Sequence, residues 1–558
     1  MKPIKKLTSS LSVVAMLASL TIAPNVMAAE KNPIDYGQEL KSHQLVSQLK
    51  ERNVLPISGQ GQAFSASATV TKAVYTNKID MYSAHEYFFV SSGGQFTVNN
   101  LDEVNVMYEI YNNDTFEDVA ITANDTYNLP AGNYSIIVSS DSDILIDYKI
   151  ELNGTFNGQP DATLPTLQVA SPSSHELRLA KGSSATYAVK GTSNAEDLWI
   201  FDNFKEYNPA NPLSFNQNIT LEKGLNGLYF YAVNASGNAI ASYYDISLPG
   251  ISRIAGKDRY AVSAGVSKQL DKWGHNSGTV IIARGDMFPD ALSGGPLAEI
   301  EGAPMLLTYT NTLPADIVNQ IKDLGADRAI ILGGSASVSS NVEGQLKNLG
   351  VTDIERIDGK DRYVVSAKIA ERVTDYSGSD TAIIASAEVF PDALSASTIA
   401  GPTGMPILLV KKDTITDPVK SFISSHPEIK NFIVVGGPKT VQPAVLGQLP
   451  KGAFVERIDG MDRYEVAINV AKFGMEHFGM DLSTLTVVRG DLFPDALSGA
   501  PLANYQWAPI LLTTSSKLEG KVNTFLQSNQ SQIDNIYILG GTASVSSTTE
   551  QQLNGHIR

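Results

Sequence analysis

Arginines at regular positions are the first residues of this chain whose type and spacing could bind a ligand. Three segments, RIAGKDRY, RIDGKDRY and RIDGMDRY, each carry two arginines six residues apart. The pairs are Arg253 and Arg259, Arg356 and Arg362, and Arg457 and Arg463. A guanidinium presents a planar fork of donors that suits phosphate and carboxylate oxygens. The pattern indicates an anion-binding site, and an ion pair that repeats with the fold is the alternative explanation.

The second arginine of each pair stands where a helix is predicted to begin. Backbone N–H groups at a helix N-terminus carry partial positive charge and can bind anions. Two more arginines, Arg284 and Arg489, occupy matching positions further along, whereas the middle copy has Ser386 there. We therefore predict that the middle copy binds an anion more weakly if this position contacts the ligand.

Acidic residues four apart form a second recurring set. The pairs are Asp286 and Asp290, Glu388 and Asp392, and Asp491 and Asp495. Two carboxylates can hydrolyse a glycosidic bond. However, the second member of each pair follows a proline and precedes an apolar segment, which favours a helix N-cap that contributes about 0.5–2 kcal/mol. We therefore predict that Asp290, Asp392 and Asp495 are structural, and we predict no catalytic residue.

Alternating strands and helices must position these side chains. The motif order is the arginine segment, FPDALS, a P-x-L-L run and a glycine pair, and it occurs three times at intervals of 103 and 101 residues. In the third copy, the apolar runs 455–458, 485–488, 508–512 and 536–539 predict buried strands, and helical spacing lies between them. Such alternation predicts a parallel sheet covered by helices. The glycine pairs lack the spacing of a nucleotide-binding loop.

These motifs resemble the type 2 cell wall binding repeats of Gram-positive surface proteins. The matching residues are R-I-x-G-x-D-R-Y, F-P-D-A-L-S, P-x-L-L and L-G-G, and the resemblance covers residues 251–558. It implies three Rossmann-like α/β domains, at 250–352, 353–453 and 454–558, packed with pseudo-threefold symmetry. It also implies non-catalytic, non-covalent attachment to an anionic secondary wall polymer.

Composition excludes several other classes of function. The chain has 558 residues, a formal net charge of −16, seven histidines and no cysteine. An acidic chain is poorly suited to bind nucleic acid, and the absence of cysteine excludes disulfides and thiol catalysis. Residues 251–558 hold 27 basic and 33 acidic residues. Anion binding there must therefore depend on local clusters of cations.

The N-terminus predicts export. Three lysines within the first six residues precede an apolar stretch at 11–22 and a small-residue cleavage site near Ala28. This is the pattern of a secretory signal peptide at 1–29, and the stretch is shorter than the roughly 20 residues that span a bilayer. No membrane span is predicted elsewhere. We expect a secreted protein at the cell wall or cell surface.

The segment before the repeats predicts β structure. Residues 30–62 indicate a linker or short helix. Alternating strands then predict two all-β sandwiches, at 63–153 and 166–249, separated by a linker. The first resembles, around LPAGNY at 129–134, the bacterial pre-peptidase C-terminal domain, and the second is expected to be Ig-like. Loop carboxylates could hold calcium in these domains; the candidates are Asp102, Glu103, Asp114, Glu117, Asp118, Asp141 and Asp143. No other metal or cofactor is predicted.

The multidomain organisation predicts a wall-anchored surface protein that displays two β domains. Three repeats would bind the anionic polymer through arginines: Arg253, Arg259, Arg284, Arg356, Arg362, Arg457, Arg463 and Arg489. A wall hydrolase (amidase or protease) or its accessory protein is one alternative. An adhesin or surface-layer component is another.

Overall fold

The computed structural model describes residues 69–558 except 102–104, 116, 121–124, 143, 203–204, 288–289 and 493. The predicted signal peptide and nearly all of the segment that follows it lie outside the described residues. The described residues form two compact units, 69–248 and 249–558. Among the described helices, none combines the length and the apolar character needed to cross a bilayer.

The first unit consists of strands. They are β1 (Thr69–Ile79), β2 (Ser83–Asn100), β3 (Val106–Asn112), β4 (Glu117–Asp118), β5 (Thr126–Ser140), β6 (Ile146–Asn157), β7 (Leu167–Ser171), β8 (Glu176–Arg178), β9 (Thr186–Ser193), β10 (Asp197–Phe201), β11 (Glu206–Tyr207), β12 (Phe215–Thr220), β13 (Gly224–Val233) and β14 (Ala239–Leu248). The described elements of this unit are strands, as predicted, and nearly all of their pairings are antiparallel. The finer resemblance of β1–β6 to a pre-peptidase C-terminal domain stays a prediction.

The two predicted β segments share a sheet. Strand β14 pairs with β2 through Ala239–Glu86 and Ser242–Ser83, so strands from both segments lie in one eleven-stranded sheet of the described residues. Part of the predicted linker, 154–157, belongs to β6. This differs from two sandwiches joined only by a linker. The reason is that an edge strand with free backbone groups lowers its free energy by pairing with another edge.

The second unit repeats strand and helix three times. Its strands are β15 (Gly250–Ile254), β16 (Thr279–Arg284), β17 (Met305–Thr308), β18 (Arg328–Leu332), β19 (Asp353–Ile357), β20 (Thr381–Ser386), β21 (Ile407–Val410), β22 (Asn431–Val435), β23 (Phe454–Ile458), β24 (Thr484–Arg489), β25 (Ile510–Thr513) and β26 (Asn535–Leu539). Its helices are α1 (Arg259–Lys272), α2 (Gly294–Ile300), α3 (Ala315–Leu324), α4 (Ser340–Asn348), α5 (Arg362–Ser377), α6 (Pro391–Ala400), α7 (Asp417–Ser425), α8 (Pro443–Leu446), α9 (Arg463–Phe478), α10 (Pro494–Tyr505), α11 (Gly520–Ser528) and α12 (Ser547–Asn554).

Each repeat contributes its first strand to the sheet of another repeat. The described strands of this unit form three parallel sheets, with orders β17-β16-β18-β19, β21-β20-β22-β23 and β25-β24-β26-β15. Strand β19 opens the second repeat but completes the first sheet, and β23 does the same one repeat later. Strand β15 opens the first repeat and completes the third sheet. The predicted parallel sheets are confirmed, and the exchange closes the three repeats into a ring.

Small residues allow three helices, one from each repeat, to meet closely. A Cβ added at Gly295 of α2 would overlap Ser397 of α6 and would lie 3.5 Å from the Cβ of Ala500 of α10. The side chain of Asn504, also in α10, fills the space that a side chain at Gly401 would need. The FPDALS segments therefore carry small residues because their helices pack backbone against backbone.

Candidate functional site

The first arginine of each repeat joins its strand to the preceding sheet. Each donates through Nη1 to the carbonyl oxygen of the first glycine of a glycine pair, at 2.8, 2.7 and 2.5 Å, in the pairs Arg253–Gly540, Arg356–Gly333 and Arg457–Gly436. The glycines follow the last strand of the neighbouring repeat, so these bonds cross between repeats. The geometry fits a structural clamp.

The clamp is completed by a carboxylate in two repeats and not in the third. Ion pairs join Arg253 to Glu550 at 2.9 Å and Arg356 to Glu343. Both glutamates lie ten residues after the first glycine of the glycine pair. The corresponding residue near Arg457, ten positions after Gly436, is Leu446. The buried Nη2 atom of Arg457 has no hydrogen-bond partner in the described part of the chain, and burial lowers the pKa of this guanidinium.

The second arginines also bond within the chain. Their Nη1 atoms donate to the carbonyl oxygen that follows the central strand, at 2.8, 2.6 and 2.7 Å, in the pairs Arg259–Gly285, Arg362–Ala387 and Arg463–Gly490. The preceding aspartates cap the helices: Asp462 accepts from the backbone N–H groups of Tyr464 and Glu465 at 3.1 and 3.0 Å. The helix N–H groups that the sequence suggested for an anion are therefore partly occupied by the chain itself.

The third set of arginines is neutralised locally. Arg284 donates from Nε and Nη2 to Asp286 at 2.5 and 2.8 Å, and Arg489 donates to Asp491 at 2.5 and 2.7 Å. These bidentate pairs hold the pKa of both aspartates below the usual range. In the second repeat, the backbone N–H of Glu388 donates to the Ser386 hydroxyl at 3.2 Å, so no such pair exists at that position.

The structure places Asp290, Asp392 and Asp495 away from the N-cap. Helix α6 has Phe390 as its N-cap and Asp392 as its second residue, and α2 begins only at Gly294, four residues after Asp290. The three carboxylates instead accept from hydroxyl groups, at 2.6, 2.7 and 3.0 Å, in the pairs Asp290–Ser337, Asp392–Thr440 and Asp495–Ser544. The capping prediction is corrected here. In α6 and α10 the helix begins at the proline, so Asp392 and Asp495 lie one residue past the first helical position, whereas Asp290 lies before the N-cap of α2.

Exposed residues at the carboxyl edge of each sheet were missed by the motif analysis. The residue before each FPDALS segment is apolar and 37–47% exposed, namely Met287, Val389 and Leu492. Tyr309, at the end of β17, is 45% exposed. Three lysines of the second repeat, Lys411, Lys412 and Lys439, are exposed in loops that follow β21 and β22. An alignment of the three copies outside the shared motifs could have found these lysines, because the other two copies have uncharged residues at the same positions.

The β unit holds polar groups that serve its core. His85 lies 2.8 Å from the hydroxyl of Tyr148, and burial lowers the pKa of this histidine to about 4. Asp114, one of the calcium candidates, accepts two hydrogen bonds from Asn133. Within the described ranges, no group of three or more histidine, aspartate or glutamate side chains is arranged to hold a metal ion. Asp102, Glu103 and Asp143 lie outside the described residues, and calcium binding stays a prediction.

Comparison with known proteins identifies the repeats. The family model described as cell wall binding domain 2 (CWB2) matches residues 253–343, 356–446 and 457–550. The N-acetylmuramoyl-L-alanine amidase LytC of Bacillus subtilis (strain 168) is 30% identical over 307 residues, which cover 55% of this chain and 58% of the amidase. The amidase enhancer of the same strain is 32% identical over 301 residues, 54% of this chain and 40% of the enhancer.

The similarity to these relatives is confined to the repeats. This chain spans about half the length of the curated relatives it matches, and the catalytic domain of the amidase is not covered. Cwp6 from Clostridium difficile has a similar fold, with a TM-score of 0.52, 21% identity, and coverage of 70% of this chain and 68% of Cwp6. CWB2 repeats are binding domains, which indicates a location at the cell wall or surface. The chain belongs to the cell wall binding domain 2 family and carries three tandem copies between residues 253 and 550.

Proposed function

We propose that this protein is exported and is held non-covalently on the Gram-positive cell wall by its three repeats. The ligand in this proposal is an anionic secondary wall polymer, and the repeats display the β unit 69–248 at the surface. The observation that carries the proposal is the presence of three complete CWB2 copies whose sheets close into one ring. A ring of this kind presents three carboxyl sheet edges, which are the usual ligand-binding edges of parallel sheets.

Attachment through these edges is proposed to be ionic and multivalent. An exposed ion pair contributes only about 0–1 kcal/mol and weakens as salt shortens the screening length. Several linked sites on a repeating polymer bind intramolecularly, which can raise avidity by roughly 10²–10⁴-fold. Weak contacts in separate repeats can therefore hold the chain on the wall.

Co-sedimentation with purified walls tests the proposal. Fragments 249–558 and 30–248 would be mixed separately with walls, before and after chemical removal of the secondary polymers. We expect 249–558 to sediment with intact walls and to remain soluble with stripped walls. Circular dichroism establishes that each fragment is folded. Sedimentation of 30–248 together with a soluble 249–558 would overturn the assignment.

A role as an accessory to a wall hydrolase is the second candidate. It is favoured by the two relatives, an amidase and an amidase enhancer, although similarity covers only the repeats. Zymography of the full chain in a gel that contains cell walls would detect hydrolysis by the chain itself. Adding the chain to a purified wall amidase would detect enhancement. Clearing in neither assay would exclude this candidate and leave attachment as the function.

A further inference from the structure

The second repeat carries its cations differently from the other two. In repeats one and three, the central strand ends in an arginine that is paired with its own aspartate, Arg284 with Asp286 and Arg489 with Asp491. In repeat two that position is Ser386, which is 1% exposed. Three residues after the first glycine of the pair, repeat two has Lys439, where the others have alanine. Repeat two therefore lacks the ion-paired arginine of the other repeats and has an exposed lysine in a loop instead.

Two more lysines lie in a loop at the same edge of the sheet as Lys439. Lys411 and Lys412 directly follow β21, where repeat one has Tyr309 and Thr310 and repeat three has Thr514 and Ser515. In the described part of the chain, no ion pair involves Lys411, Lys412 or Lys439. The Lys411 ammonium instead lies 5.9 Å from the centre of the Tyr363 ring. Because parallel strands end at one edge of a sheet, the loops after β21 and β22 flank β20 on the same side.

Arg457, which has no glutamate at the position where the other repeats have one, lies on the strand next to β22 in the same sheet. Arg457 is on β23, which pairs with β22, and the glutamate found in the other two repeats is Leu446 here. Its Nη2 atom is the one guanidinium nitrogen that is buried without a partner among the described residues. A buried guanidinium nitrogen without a hydrogen-bond acceptor is costly, so a ligand oxyanion that accepts from it is favoured. The acidic residues of the loops after β20, β21, β22 and β23 are Glu388, Asp413, Asp459 and Asp462, and Asp462 is already paired with Lys521 at 2.9 Å.

We infer that the second repeat holds an anion-binding subsite formed by Lys411, Lys412, Lys439 and Arg457. Its ligand class is a phosphate or carboxylate group of the wall polymer. This inference rests on the proposed function and reverses the expectation that the second repeat binds most weakly. The reversal follows from the ion pairs, because Arg284 and Arg489 are already neutralised while the lysines of repeat two are not.

Charge removal in the full chain tests the subsite. The variant K411Q/K412Q/K439Q is compared with K268Q/K322Q/K347Q, which removes three exposed lysines from the helices of repeat one. We expect the first variant to bind purified walls about tenfold more weakly at low salt, and the second to bind within about twofold of the parent chain. Equal binding by both variants would overturn the subsite. Failure of the parent chain to bind walls would instead overturn the proposed function.

A second variant tests the role of Arg457. Leu446→Glu supplies the carboxylate that the other repeats have, and we expect it to weaken wall binding because the arginine becomes neutralised. Glu343→Gln, which frees Arg356 in repeat one, is the opposite control and is expected not to weaken binding. Displacement of the chain from walls by inorganic phosphate, compared with sodium chloride at equal ionic strength, measures oxyanion recognition. Equal displacement by the two salts would show screening alone and would overturn the inference.

Discussion

The carboxylate of Asp392 lies directly against the backbone of Gly436. A Cβ atom added at Gly436 would overlap the Oδ2 atom of Asp392, and the backbone φ there is +113°. The hydroxyl of Thr440 donates to the same Oδ2 atom at 2.7 Å. The first and third repeats place their aspartates against their own glycines in the same way. The FPDALS and glycine-pair motifs therefore recur together because they are in contact.

Replacing Gly436 by alanine should destabilise the second repeat. The variant combines an unfavourable φ with overlap between the new methyl group and Asp392, and we expect it to lower the free energy of unfolding by about 3 kcal/mol. Gly452→Ala is the matched control, because its φ is +88° but no atom lies within 4 Å of the new Cβ. We expect the control to cost about 1 kcal/mol. Urea unfolding measures both, and equal losses would contradict a role for the contact.

Glu299 should make stability depend on pH near neutrality. Burial raises the pKa of this carboxyl to about 7, and its Oε2 atom has no hydrogen-bond partner in the described residues. The pKa of Glu299 is higher in the folded chain than in the unfolded chain. The contribution of its protonated carboxyl to the free energy of unfolding is therefore complete below the ordinary glutamate pKa and is lost as pH rises through 7.

The variant Glu299→Gln should remove this dependence. Between pH 5 and pH 8, we expect the parent chain to lose about 1–3 kcal/mol relative to the variant. Urea unfolding at each pH measures the difference. Glu371→Gln, at an exposed position of α5, is the control and should follow the parent chain throughout. A constant difference between parent and Glu299→Gln would show that the carboxyl does not titrate in this range.

An aromatic contact joins the third repeat to the first. The rings of Trp273 and Tyr505 are stacked with centroids 5.4 Å apart, and the Tyr505 hydroxyl donates to the Trp273 carbonyl at 3.0 Å. We expect Tyr505→Ala to cost about 2 kcal/mol at this joint. Amide hydrogen exchange should become faster in β15, while β19 and β23 serve as internal controls. Uniform acceleration in all three strands would indicate global destabilisation instead.

An ionic network joins the first and second repeats. Glu301, whose side chain is 11% exposed, pairs with Arg328 at 2.5 Å and with Arg372 at 2.6 Å. We expect Glu301→Gln to lower the free energy of unfolding by about 1–2 kcal/mol, because Arg328 and Arg372 lose a shielded partner but keep their pairs with Glu355. Asp358→Asn breaks the exposed pair with Lys368, which solvent screens, and should cost much less. Similar losses in both variants would argue against a special role for the network.

The local elements could be predicted from the sequence. The runs 485–488 and 536–539 lie within β24 and β26, and α9 begins at Arg463, the second arginine of its pair, as predicted. Apolar runs and helix caps depend on neighbours along the chain, so one copy of the sequence contains the information. Threefold repetition of four motifs was enough to indicate the family, and the match over 253–550 confirms it.

The roles of the arginines could not be predicted from the same motifs. Spacing places Arg253 and Arg259 in a strand and at a helix start, but it does not say which acceptor each guanidinium reaches. The structure shows carbonyl oxygens of Gly540 and Gly285 as acceptors, so both arginines bond within the fold. A site for an anion and a hydrogen bond within the fold use the same guanidinium donors. Only the acceptor that each guanidinium reaches distinguishes the two roles.

By itself, the sequence determined the repeat number, the order of strands and helices, and the small residues of the FPDALS helices. Only the tertiary structure decided that β15 joins the third sheet and that β14 pairs with β2. It also decided that the Nη2 atom of Arg457 is buried without a hydrogen-bond partner among the residues that the structure describes. The physical reason is distance along the chain. Strand pairing and ion pairing join residues as far apart as Arg253 and Glu550, and such contacts depend on packing that no local pattern records.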